Sequence, residues 1–437
     1  MEWYVFLLIL FGSLIFVMGL GLPVAFAFMV IILVGAPLTW GLAPGMTQVI
    51  MSISANLMNF SLIPVVLFIL MGEIIFHSQL APLMLDTLDK WIGRIPGRLA
   101  IMAVGGGVIF STLTGTSVAS TAMLGSTLVP EMEKKGYKSA MSIGPILGSG
   151  GLAILIPPSG LAVLLGAIGE ISIGKILIAI TLPGLILSGY FLIYIIVRCL
   201  IDPSLAPPYK VEPTPFMDKV VATVKYILPV GFIIFMVVGV IYLGIATPTE
   251  AAATGALGCY LFSLLSGRLS WAVFMKSLKG TLMVSVMILM IVSTADLFSQ
   301  IMSYSGAVSG LVDFVLSIKA APIVILIGMQ LIVLLLGMFM NAQAIMMITL
   351  PVFMPLVQAL GFDTVWFATI YLINIELGTM TPPFGLGLFV MKGVAPKGTT
   401  MAEIVSSSLP FMLLNVTMMA TIMIFPQTAL WLVRTMH

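Results

Sequence analysis

Two Pro-Pro pairs, Pro157-Pro158 and Pro382-Pro383, each interrupt a long apolar run, and they lie 225 positions apart. Proline lacks a backbone donor and its ring clashes with the preceding turn, so neither run can be one continuous helix. The same offset relates Pro23 to Pro248, Gly19 to Gly244, Pro130 to Pro355, Gly136 to Gly361 and Gly160 to Gly385. Helix breakers held in one register over so long a stretch mark a duplicated backbone geometry. The first repeat is 1–201 and the second is 226–437. The Pro-rich, polar segment 202–225 between them reads as a cytoplasmic linker.

Water cannot solvate these repeats. Hydrophobic residues make up 60% of the chain and charged residues 8%, against about 25% charged in soluble domains. The 437 residues allow roughly ten to twelve spans of about 20 residues each. The 42 Gly and 26 Pro suit membrane helices that are broken by design. A net charge of +2 implies neither an acidic partner nor nucleic acid. Cys199 and Cys259 lie in or beside apolar runs without metal-ligand spacing, so no disulfide framework is expected. The first apolar run follows Met1-Glu2 with no basic stretch, and reads as a retained span rather than a signal peptide. The expected fold is an all-α polytopic membrane protein with two inverted repeats. Each repeat has about five spans, one re-entrant helical hairpin and one Pro-broken helix.

In the first repeat the spans are 2–20, 22–42 and 49–77. An amphipathic stretch, 82–98, reads as an interfacial helix. The hairpin is about 103–130, the broken span 139–169 and the last span 175–200. The second repeat gives 226–243, 246–266, 273–303, an interfacial stretch near 306–319, a hairpin at about 322–356, a broken span at 364–392, and 404–433. The middle of 103–130, from Ser111 to Thr121, is small and polar where a spanning helix should be most apolar. Each arm is about 18 Å long at 1.5 Å per residue, roughly half of a hydrocarbon core. The alternative is an ordinary span with a Ser/Thr packing face. Charge favours the hairpin. With the N-terminus outside and both hairpins re-entrant, all basic residues except Lys175, Lys319 and Arg434 fall on the cytoplasmic side, as the positive-inside rule asks. Both termini are then periplasmic, and the expected location is a bacterial or archaeal inner membrane.

The interrupted spans carry the chemistry. One reads Gly148-Ser149-Gly150-Gly151 through Pro157-Pro158-Ser159-Gly160. The other reads Asn374-Ile375-Glu376-Leu377-Gly378-Thr379-Met380-Thr381-Pro382-Pro383-Phe384-Gly385. Carbonyls before such a break suit a small cation such as sodium, and the helix N-terminus after it suits an anionic group. Paired broken helices at matching places in two halves point to a transporter's midplane site. Sodium candidates are Thr116, Ser117, Gly148, Ser149 and Gly150, with Asn341, Ala342, Asn374, Gly378, Thr379 and Thr381 in the second half. Substrate candidates are Ser149, Pro158, Ser159, Gly160, Asn374, Glu376, Pro383, Phe384 and Gly385. The same small residues would also serve close helix packing. Among the carboxylates, Glu376 could bind a cation or carry a proton. Glu250 reads as a helix cap, Glu73 as an interface residue, and Asp296 is open. No paired-Asp, Ser-His or His-Glu-x-x-His arrangement occurs within the spans, which disfavours an intramembrane enzyme.

The Pro-Pro-Ser-Gly and Thr-Pro-Pro-Phe-Gly motifs, Thr247-Pro248-Thr249-Glu250-Ala251-Ala252-Ala253, and Lys134-Lys135-Gly136-Tyr137 after the first hairpin resemble the large membrane (DctM-like) subunit of TRAP transporters, within the wider ion-transporter superfamily. The resemblance covers essentially the whole chain. It implies a periplasmic substrate-binding protein, a small four-helix membrane subunit, and sodium-driven elevator uptake of a carboxylate or sulfonate. No four-span extension precedes residue 1, so the small subunit is expected as a separate chain. Asn341 stands where many relatives are expected to have an acidic residue in the second hairpin tip. A stand-alone organic-anion symporter or antiporter is the competing reading, and a channel a further one.

Overall fold

A computed structural model describes residues 2–93, 95–114, 117–208 and 214–436. Helices and short connections make up this part of the chain, and no strand occurs among the described residues. The first half comprises α1 (Trp3–Gly19), α2 (Val24–Trp40), α3 (Leu42–Leu57), α4 (Ile63–His77), α5 (Ala81–Ile92), α6 (Arg98–Thr114) and α7 (Ser117–Lys134). It continues with α8 (Ser139–Leu155), α9 (Gly160–Ile168) and α10 (Ile173–Ile201). The second half comprises α11 (Phe216–Tyr242), α12 (Pro248–Leu265), α13 (Trp271–Tyr304), α14 (Ala307–Ser317), α15 (Pro322–Gly337) and α16 (Ala342–Ala359). It ends with α17 (Thr364–Thr379), α18 (Leu386–Val394), α19 (Met401–Ile424) and α20 (Gln427–Arg434).

The helix order runs in step at the sequence offset. α7 and α16 start 225 residues apart, as do α8 and α17, and α7 and α16 both have 18 residues. α6 packs on α7 and α15 on α16. These helices reach beyond the expected hairpin limits of 103–130 and 322–356, to 98–134 and 322–359.

Two expected runs need correction: 404–433 is two helices, α19 and α20, parted at Phe425 and Pro426. The run 49–77 is two helices, α3 and α4, separated by a short 3-10 turn at Phe60–Leu62. Pro64 in the first turn of α4 has no donor for the preceding helix; the Asn56 side-chain amide, still in α3, donates both to Ser52 O of its own helix and to Asp296 Oδ2. The corresponding element of the second half, α13, is one helix of 34 residues.

Among the described residues five helices are long and apolar enough to cross a membrane: α10, α11, α13, α16 and α19. The bent pairs α4–α5 and α8–α9 raise this to seven. Several others, including α1, α2 and α15, have 16 or 17 residues. At 1.5 Å per residue they are about 24–26 Å long, just short of a ~30 Å hydrocarbon core.

α8 and α17 form the centre. Every residue from Gly144 to Leu155 is buried, as is every residue from Val365 to Thr379. Helices that are apolar all round and enclosed on all sides need small residues where neighbours approach. Gly107 of α6 lies against Ser149, and Gly148 against the Phe411 ring of α19. Gly337 of α15 lies against Gly378.

The corner between α5 and α6 is held by charge. Arg98 is 6% exposed. Its Nε donates to Asp89 Oδ1 at 2.9 Å, its Nη2 to Oδ2 at 2.7 Å, and it also reaches the carbonyls of Asp89 and Gly93. Asp89→Ala strands a buried guanidinium. It should destabilise the protein by about 1–3 kcal/mol, read as a lower melting temperature of detergent-purified protein. Asp86→Ala breaks only the surface pair with Lys90 and should cost less than ~1 kcal/mol. Equal shifts for the two variants would refute the role given to Arg98.

Candidate functional site

Both double prolines separate helices. α8 stops at Leu155, Ile156 is extended, and α9 begins at Gly160. α17 stops at Thr379 and α18 begins at Leu386. Both Pro-Pro bonds are cis.

The two breaks differ in setting. Residues 151–159 are buried throughout, and Ser159 caps α9 by accepting from Ala162 N at 3.3 Å. Pro383 and Phe384 are exposed, and α18 has no side-chain cap at Gly385. The first turn of α18 therefore presents backbone donors that no side-chain cap takes. Gly385 is required there, since a Cβ would lie 2.5 Å from Thr379 O and 2.7 Å from Thr381 O. Phe384 meets Phe339, at the tip of α15, with ring centroids 5.7 Å apart.

The two halves meet between these breaks. A Cβ on Gly150 would overlap Thr121 Oγ1 of α7. Gly151 lies against the Glu376 side chain. Thr379 Oγ1 donates to Glu376 O at 2.8 Å and lies 3.2 Å from Glu376 Oε1. Ser117 bears on the same carboxyl. Glu376 Oε2 has no hydrogen-bond partner among the described residues. Asn374 Nδ2 donates to Gln330 O at 2.6 Å and Gln330 Oε1 at 2.9 Å, tying α17 to α15.

The sequence-derived candidates thus fall into three groups. Ser117, Gly150, Glu376 and Thr379 lie together in the buried centre, whereas Gly148 packs on Phe411, Gly378 on Gly337 and Ser149 on Gly107, the Ser149 hydroxyl bonding Ile146 O of its own helix. Thr381 Oγ1 bonds Leu377 O within its own chain turn. Asn341 caps α16, its Oδ1 accepting from Ala344 N at 2.9 Å, and Ala342 is buried behind it. Asn341 also faces a cavity of about 450 Å³ lined with Gln343, Pro23, Phe26, Met287 and Met290. Thr116 lies outside the described residues.

Sequence reasoning leaves Asp296 open, and the structure gives it partners. Its Oδ2 accepts from Ser52 Oγ (2.7 Å), Asn56 Nδ2 (2.8 Å) and Gln300 Nε2 (2.9 Å). Gln48 Nε2 completes the set on Gln300 Oε1 at 2.8 Å. The available signal is the spacing: Gln48, Ser52 and Asn56 recur every four residues, as do Asp296 and Gln300. Glu250 closes a capping box with Thr247, as expected. Glu73 pairs with His77 at 3.2 Å. Among the described residues no three His, Cys, Asp or Glu side chains gather as for a transition metal.

The sequence matches the family model for the tripartite ATP-independent periplasmic transporter, DctM component, over residues 11–428. It is 29% identical to the C4-dicarboxylate TRAP transporter large permease protein DctM of Pseudomonas aeruginosa, over 85% of this chain and 86% of that protein. It is also 29% identical to the ectoine TRAP transporter large permease protein TeaC of Halomonas elongata, over 97% and 98% of the two chains. In fold it resembles MtrF of Neisseria gonorrhoeae, from a class of antimetabolite efflux pumps, with a TM-score of 0.62, 13% identity and 94% and 95% coverage. The chain belongs to the DctM component family of the tripartite ATP-independent periplasmic transporters, and is a multi-pass membrane permease rather than an enzyme.

Proposed function

We propose that this permease takes up a small organic anion, a carboxylate or sulfonate, driven by the sodium gradient and delivered by a periplasmic binding protein. The observation that carries this reading is the meeting of two interrupted helices, α8–α9 and α17–α18, at Gly151 and Glu376. Such breaks leave carbonyls for a cation and a helix N-terminus for an anion at one depth. The uncapped start of α18, beside exposed Phe384, is the place for the solute's anionic group. The oxygen-rich, buried neighbourhood of Ser117, Gly150 and Thr379 suits sodium.

In this reading the halves are inverted, α6–α7 and α15–α16 are re-entrant, and they move with the broken helices as an elevator against α1–α4 and α11–α13. The chain sits in the inner membrane with both termini periplasmic. A four-helix membrane subunit completes the complex.

Reconstituted proteoliposomes test the proposal. With the binding protein outside, uptake should require an inward sodium gradient and should vanish when choline replaces sodium. Substantial uptake without any binding protein would favour the stand-alone symporter instead.

A further inference from the structure

Glu376 and Gly151 hold equivalent positions in the two halves, 225 apart, and they touch. A Cβ on Gly151 would lie 2.5 Å from Glu376 Cγ and 2.8 Å from Oε1. At this one place the first half offers a gap and the second half fills it with a carboxyl. Glu376 is 3% exposed, and Oε2 is unpartnered among the described residues. None of the ion pairs among those residues includes it. A buried carboxylate without a counter-charge is costly, so the group calls for a cation or a proton.

Its surroundings supply oxygen. The Ser117 side chain bears on the carboxyl from α7. Thr121 Oγ1 stands against Gly150, next along α8 from the glycine that faces Glu376. Thr379 Oγ1 approaches Oε1 from the C-terminal side. Hydroxyls and a carboxylate form a hard donor set, suited to an alkali or alkaline-earth cation rather than a soft metal. An anionic solute would be repelled here, since like charges at close range in a low-dielectric site interact strongly.

We propose that Glu376 is the charged ligand of a sodium site built jointly by the two halves, with Ser117, Thr121 and Thr379 as neutral ligands. This rests on the sodium-coupled reading above and adds a carboxylate contributed across the repeat boundary. The ion and the closed packing of α7, α8 and α17 are then linked: losing sodium leaves a bare charge where the three helices meet.

Glu376→Gln keeps the shape and removes the charge. Purified protein titrated with sodium chloride by calorimetry should bind one ion fewer per chain, or bind it at least about tenfold more weakly. The rise in melting temperature on adding sodium should shrink, and the sodium Hill slope of uptake should fall by about one. Glu376→Asp, which keeps the charge but shortens the reach, should fall between wild type and Gln; it carries the test if Gln does not fold. Wild-type sodium stoichiometry and affinity in Glu376→Gln would overturn the assignment. So would a variant altered only in its pH profile, which would make the group a proton site. A wild-type protein that takes up solute but binds no sodium would instead sink the sodium-coupled reading itself.

Discussion

Gly337→Leu should reduce uptake by about a hundredfold or more, while Gly328→Leu, nine residues earlier on the same helix, should leave it intact. The reason is a backbone-to-backbone approach. A Cβ on Gly337 would lie 2.7 Å from the Cα of Gly378 and 3.3 Å from its carbonyl carbon. No flexible side chain stands there to move aside, so α15 must shift off α17. Overpacking of this kind costs about 1–3 kcal/mol or more. α17, which loses this contact, carries Glu376 and Thr379, and misplacing a positioned site by about 1 Å can cost a hundredfold. Gly328 has nothing within 4 Å, so a leucine there enters open space. Uptake in proteoliposomes, with size-exclusion profiles to report folding, decides the matter. Near-wild-type transport by Gly337→Leu would show that this contact is not part of the working site.

The second large effect is expected from replacing Pro157 and Pro158 together by alanine. The break between α8 and α9 lies wholly inside the protein, and what keeps it open is two residues without backbone donors. With alanine the chain from Gly144 to Ile168 can close its hydrogen bonds as one rod, taking up the carbonyls that the break leaves free. Sodium-dependent uptake should fall at least about tenfold, with membrane insertion and expression retained, because helix propensity favours the variant. Unchanged uptake with unchanged sodium stoichiometry would remove the first break from the site.

Much of the architecture is legible in the sequence because its causes are local. Proline and glycine act on their own turn, so the stops at Leu155 and Thr379 and the restarts at Gly160 and Leu386 follow from 157–158 and 382–383. The polar stretch from Ser111 to Thr121 marks a helix junction for the same reason. The split of 49–77 into α3 and α4 is harder to see, since Pro64 alone would be tolerated in a first turn. The site is legible only as a neighbourhood. That Gly151 receives Glu376, and Gly337 faces Gly378, depends on how helices more than forty residues apart are set against each other. No local pattern encodes that. The unequal exposure of the two breaks is likewise a property of the whole assembly.

The unequal third element of the two halves has a mechanical consequence. α13, at 34 residues, is a strut about 51 Å long, enough to cross a bilayer of ~40–45 Å with its headgroups. Its counterpart is jointed at residues 58–62. Two halves alike in order therefore differ here: one has a break in its helical ladder at which to bend, the other an unbroken helix. Asp296 ties that long helix to Ser52 and Asn56 immediately ahead of the joint.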